Sequence, residues 1–288
     1  MAKKILIFIL LLTMASGLLC GCESQNAGTK EISIDSDSKY GSIYEISECL
    51  DDEQYDEYMN DDCALFCRLL DFRHRLTDSA EFMFCAFAEN FIEIIDKEVP
   101  ETCIVNHNTE YEADSKYVID GDSITATEAI QISEDFFTLF PAEIAAGRSF
   151  ESSDFSDDAD FIPVILGSDY RDFFDLGDTF EGYYICERRM FTVIGFTAPG
   201  EEFYLRSNNR MVAYDNYIIM PFENIAEDSF SARAILLQQI CGFIVPQNSL
   251  NSALQTIREY LTDAGLEGWT DAIVLSEKSL QDKISPKR

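Results

Sequence analysis

Between residues 142 and 196 no apolar run is long enough to build a helix of ordinary length, and the main runs close on glycine, aspartate or proline. Gly147-Arg148-Ser149-Phe150 leads into the acidic turn that ends at Asp154-Phe155. The run 162–166 ends in Gly167-Ser168, and Gly177-Asp178 precedes the run 191–196. Short β-rich runs punctuated in this way read as strands joined by tight reversals. Gly147 and Gly177 sit where the chain turns and a positive φ is useful. Arg148 lies between an apolar strand and an acidic run, so a structural ion pair with Asp154 is the expected arrangement.

On either side the pattern changes. Residues 40–46 read as a strand, 51–76 as one long helix with acidic first turns, and 81–87 as a returning strand. Further strands are expected over 90–95, 117–119, 124–132 and 215–220, with a polar loop at 198–210 that reads as the tip of a long hairpin. A strand over 240–245 precedes a helix over 250–264, capped by Asn248-Ser249 and ended by Gly265, and a strand over 272–275 returns. The fold class is therefore α+β: two β-α-β units at the chain ends, with a mainly-β segment inserted between them.

The charge excludes one class of partner. With 53 acidic residues against 21 basic, the net charge is −32, the opposite of what phosphate backbones require. Cationic peptides or metal ions suit it, although most of the charge is expected to serve as a solvated surface. The N-terminus has an export signal: Lys3 and Lys4, an apolar stretch from Ile5, then Leu19-Cys20-Gly21-Cys22 and a polar tract. The apolar stretch is short for a bilayer span. Leu19 to Cys22 resembles a bacterial lipobox, which makes Cys22 the lipidated residue, residues 1–21 the signal and 22–38 a tether. A retained anchor helix is the alternative. Either way the remainder is expected on the extracytoplasmic face of the cell membrane.

The order of GRSF with its acidic turn, the Gly-Ser-terminated strand and the Gly-Asp turn before FTVIGF resembles the extracellular core domain of MacB/FtsX-type ABC transporter permeases. The stretches around Ile43 to Tyr58 and Leu69 to Phe87 also resemble the first half of that domain. The resemblance spans roughly residues 40–280. It implies a split porter-like lobe over 39–120 and 223–288 with a β-rich, sabre-like lobe over 121–222. It also implies a non-enzymatic binding or coupling module of an export system for peptides, antibiotics or lipids, with an ABC permease/ATPase complex as partner. Full permeases of the family carry three further membrane helices after this domain, so the expectation is a free-standing anchored copy or a truncated permease product.

Chemistry is hard to find. The two histidines, His74 and His107, lie far from any nucleophile motif, and neither a Walker A sequence nor H-E-x-x-H occurs. No EF-hand spacing occurs among the carboxylates. No catalytic residue, cofactor or metal site is therefore expected, and an exported hydrolase is the weaker reading. Cys63 and Cys67, four residues apart, are expected on the core side of the long helix. The odd, scattered cysteines do not form a disulfide framework.

Overall fold

A computed structural model describes residues 43–266 apart from 47, 49, 61–62, 120, 157–160, 206–209, 223–224 and 226. Cys22, the signal and tether, and the strand expected over 272–275 lie outside the described residues.

The architecture is α+β. Strand β1 (Tyr44–Ile46) is followed by helices α1 (Asp52–Asn60) and α2 (Ala64–Thr77) and by the 14-residue strand β2 (Phe82–Ile95). Strands β3 (Lys116–Ile119) and β4 (Asp122–Ile132) precede the one-turn helix α3 (Phe136–Leu139). Then come β5 (Ile144–Gly147), β6 (Ile162–Leu166), β7 (Thr179–Tyr184) and β8 (Glu187–Thr197). A hairpin of β9 (Glu202–Leu205) and β10 (Arg210–Ala213) leads to β11 (Ile218–Pro221). Helix α4 (Phe230–Gln239), β12 (Gly242–Pro246) and α5 (Leu250–Asp263) complete the described chain.

The pairing closes on itself. β2 pairs with β7, β7 with β8, β8 with β6, β6 with β11, β11 with β4, and β4 again with β2. The β6–β8 and β11–β4 ladders are parallel and the other four antiparallel. A six-stranded barrel results, and closure removes the open edges a sheet would otherwise present. β2 is long because it serves two structures. Its first part, Phe82 to Ala86, pairs with β12, which in turn holds β1. Its second part, Phe87 to Ile95, pairs with β4 along the barrel.

Alternation along the strands sorts side chains between two apolar clusters. Val164 and Leu166 of β6, Ile218 and Met220 of β11, and Ile92 and Ile94 of β2 fill the barrel interior. Ile165, Ile219, Phe87 and Ile130 face outward, into an aromatic layer built with Phe136, Phe203 and Phe243. Strands buried on both faces read as unbroken apolar runs, which explains IPVIL and IIMP. The interior cluster continues into the helical layer, where Tyr58, Phe66, Leu69, Phe72, Leu76 and Ile257 pack over β2 and β12.

Several expectations are corrected. The helix expected over 51–76 is two helices, and Cys63 at the start of the second has φ +79. Asn60-Asp61-Asp62 supplies poor helix formers and puts negative charge at a helix C-terminus, where the macrodipole opposes it. Cys63 and Cys67 are both exposed, because the buried stripe of α2 runs through Phe66, Leu69, Phe72 and Leu76. The two strands expected over 81–87 and 90–95 are one strand. The polar stretch at 198–210, expected as a hairpin tip, does belong to a hairpin, but much of it is strand: β9 pairs antiparallel with β10. Helix α4 has no counterpart in the sequence reading. It buries seven of its ten residues, so it shows no amphipathic period.

Candidate functional site

Arg148 and Asp154 come together. Gly147 ends β5 with φ +76, and a Cβ there would stand 2.2 Å from the Ile194 carbonyl oxygen, so only glycine lets the chain turn against β8. The Arg148 backbone N–H donates to that same carbonyl (3.0 Å). The guanidinium then reaches both carboxylate oxygens, Nη1 to Oδ2 at 2.5 Å and Nη2 to Oδ1 at 2.9 Å. The Glu151 backbone N–H also donates to Asp154 (2.7 Å), and Ser152 donates to Glu134. Burial by itself would raise the Asp154 carboxyl. The bonds from Arg148 and Glu151 and the guanidinium charge outweigh that and hold it below the usual carboxylate range. Beside this clip Phe137 stacks on Phe150, which meets Phe155 edge-on.

The clip closes a surface loop, with Arg148 44% exposed. A double-mutant cycle on Arg148→Ala and Asp154→Ala, followed by urea unfolding, is expected to give a coupling of about 1 kcal/mol. Because the folded-state carboxyl sits below its unfolded value, that coupling is present at neutral pH and disappears as pH falls through the folded pKa.

A second arrangement was invisible in the sequence. Glu89 and Glu93 point outward from β2, and Glu128 points outward from β4 between them, opposite Phe91 in the ladder. Diagonal cross-strand positions of this kind lie within reach of long side chains. Arg210, the first residue of β10, forms an ion pair with Glu89. The Tyr217 hydroxyl donates to the same carboxylate (3.0 Å), and Tyr117 donates to Glu93. Burial and the Glu89 charge push the Glu128 carboxyl up to about 7, against the lowering effect of Arg210. The alternating E-N-F-I-E of β2 signals a one-faced carboxylate pair, but the third member comes from a strand nearly 40 positions away, found only through the pairing.

Where α4 meets the barrel, polar groups take over from apolar ones. Tyr184 donates to Gln131, and Asn90 Nδ2 donates to the Tyr184 hydroxyl and to Gln238 Oε1, each at 3.2 Å. At the other end of α4, Arg233 is 6% exposed. It forks onto Asp228, Nε to Oδ1 and Nη2 to Oδ2 both at 2.6 Å, and donates to the Tyr58 carbonyl. Its guanidinium lies over the Tyr58 ring at 5.8 Å and the Phe66 ring at 6.0 Å. Asp228 also accepts from Cys63 Sγ (2.8 Å).

The six described cysteines are free thiols, and burial pushes Cys85 and Cys103 up to about 12, which makes them poor nucleophiles. Among the described residues no group of three or more His, Cys, Asp or Glu is arranged to hold a metal ion. Also among them, no helix is long and apolar enough to cross a membrane. His74 is exposed on α2, and His107 Nδ1 lies 3.2 Å from Glu112.

No curated protein matches the chain. The solved structures similar to it include two extracytoplasmic transporter domains. The periplasmic region of MacB from Actinobacillus actinomycetemcomitans is 14% identical, aligns over 85% of this chain and 94% of its own, and gives a TM-score of 0.46. The extracellular domain of the noncanonic ABC-type transporter YknZ from Gram-positive bacteria is also 14% identical, aligns over 81% and 100%, and gives a TM-score of 0.43. The sequence profile of the MacB-like periplasmic core domain matches residues 77–260, which takes in the barrel, its hairpin, α4, β12 and most of α5. The chain belongs to the MacB-like periplasmic core domain family.

Proposed function

We propose that the chain is a non-enzymatic extracytoplasmic module of an ABC-type export system, held to the cell membrane by a lipid on Cys22 and acting as its binding or coupling part. The observation that carries this reading is the family match over residues 77–260. In this reading the helical layer with β1 and β12 is the porter-like lobe, the barrel with its hairpin is the inserted lobe, and β2 couples the two. A net charge of −32 suits a cationic peptide as the molecule handled, and it works against nucleic acid. The sequence features Lys3-Lys4, the apolar stretch and Leu19 to Cys22 support the anchor.

Cross-linking in native membranes followed by affinity capture of the full chain tests the partnership. Recovery of an ABC permease and its ATPase is the expected result. Capture that is efficient for the chain itself, yet recovers no transporter subunit, contradicts it.

A further inference from the structure

β3 ends the sheet: β4 lies on one side of it, and among the described residues no strand lies on the other. The register decides which of its backbone groups are spent, because antiparallel pairs alternate between bonded and open. Ile119 and Asp122 pair at the turn and Tyr117 pairs with Ile124, so Tyr117 and Ile119 turn their N–H and C=O toward β4. Val118 pairs with Ser123. Ser123 gives both its groups to Asp96 on the far side, donating to Oδ1 and accepting from the Asp96 N–H, each at 2.8 Å. Val118 therefore points its own N–H and C=O outward, away from β4. The Lys116 N–H closes on the Ala113 carbonyl, which leaves the Lys116 C=O as the third outward group. The Val118 side chain is 70% exposed, the most exposed large apolar one among the described residues. At the other end of the sheet the three residues of β1 are half-buried or buried.

We propose that the β3 edge takes an extended cationic peptide as an added strand, an inference that rests on the cationic-peptide reading above and gives it a place on the fold. The peptide main chain meets the Lys116 C=O and the Val118 N–H and C=O, and one of its apolar side chains covers Val118. Charge selects the partner. From Glu110 to Asp122 the described residues include Glu110, Glu112, Asp114 and Asp122, against Lys116 alone among lysines and arginines. Glu112 and Asp122 have His107 and Arg188 beside them, while Glu110 and Asp114 are exposed. Lysine or arginine side chains that alternate along the added strand meet this field. A second copy of the chain is the poorer occupant, because two molecules of net charge −32 would be brought edge to edge.

Residue-resolved hydrogen exchange on the full chain, with and without an alternating lysine–valine octapeptide, reads the edge at one amide. Protection of the Val118 N–H is expected to rise about tenfold with the peptide, while Tyr117 and Ile119, already bonded to β4, stay unchanged. Fluorescence anisotropy then compares this peptide with the same peptide N-methylated at every backbone amide, which keeps the charge and loses the donors. The unmethylated form is expected to bind about tenfold tighter. Val118→Pro removes the outward donor and no ladder bond, and is expected to weaken that binding about tenfold. Val118→Lys, whose side chain stays in solvent, should do the same and decides the matter if the proline variant does not fold. Equal binding of the two peptides, or binding unmoved by Val118→Lys, overturns the edge assignment and leaves the cationic-peptide reading standing. A chain that binds neither peptide overturns both. A Val118 amide already protected before peptide is added, by a second copy or by another part of the chain, overturns the proposal as well.

Discussion

Arg233→Ala is expected to destabilise the protein by about 3 kcal/mol in urea unfolding. Breaking a buried ion pair by removing one partner costs about 3–5 kcal/mol, and the lower figure applies because Asp228 keeps some contact with water at 18% side-chain exposure. Three elements lose an anchor at once. The guanidinium ties α4 to the segment before it through Asp228, to the last turn of α1 through the Tyr58 carbonyl, and to α2 through the Phe66 ring. Arg233→Lys retains the charge but not the fork, and should recover less than half of the loss. The pH dependence has a definite sign. The hydrogen bonds from Arg233, with the Cys63 bond adding to them, hold the Asp228 carboxyl below its usual range. Its contribution is therefore complete at neutral pH and is lost as pH falls through the folded value. An Arg233→Ala variant should show a shallower loss of stability in that acid window than the natural chain.

Gly242→Ala should do comparable damage by a different route. Gly242 opens β12 with φ +148, and a Cβ there would stand 2.1 Å from the Cys85 carbonyl oxygen and 2.8 Å from the Ala86 Cα. These atoms belong to β2, the strand that the helical layer and the barrel share. The methyl can be placed only by moving β12 away from β2, so a loss of about 3 kcal/mol or more is expected. Gly200→Ala isolates the conformational part. Its φ is +79 but nothing lies within 4 Å of the added Cβ, so only the conformational cost of about 1 kcal/mol remains. Equal losses in the two variants would show that the close approach of β12 to β2 is not what Gly242 secures.

Local signals served the sequence reading well. Ser249 was legible as a cap, and its Oγ accepts from the Ser252 N–H at 3.1 Å. Gly265 was legible as the end of α5, where its φ is +70 and the Leu266 N–H returns to the Leu261 carbonyl at 2.7 Å. The strands over 124–132 and 162–166 were legible because their apolar runs end on turn residues. What failed depends on contacts far apart in the chain. Glu89 and Asn90 look like a break between two strands. They are polar because Glu89 meets Arg210 and Asn90 meets Gln238, while β2 runs on unbroken. Helix α4 left no signal because burial all round erases its period and hides a charged residue, Arg233, inside it. Barrel closure is a property of six ladders, and no single segment carries it. At the candidate sites, Arg148 and Asp154 are six residues apart and could be paired on paper. The carboxylate row could not, because it is assembled from β2 and β4, and its arginine partner comes from β10.

The proposed lipid anchor rests on the amino end of the chain, so the mass of the protein extracted from its native membrane tests it most directly. A chain that begins at Cys22 and carries a diacylglycerol on that sulfur is the predicted result. A mature chain with no lipid on Cys22, whether it retains residues 1–19 or is recovered free of the membrane, would contradict it.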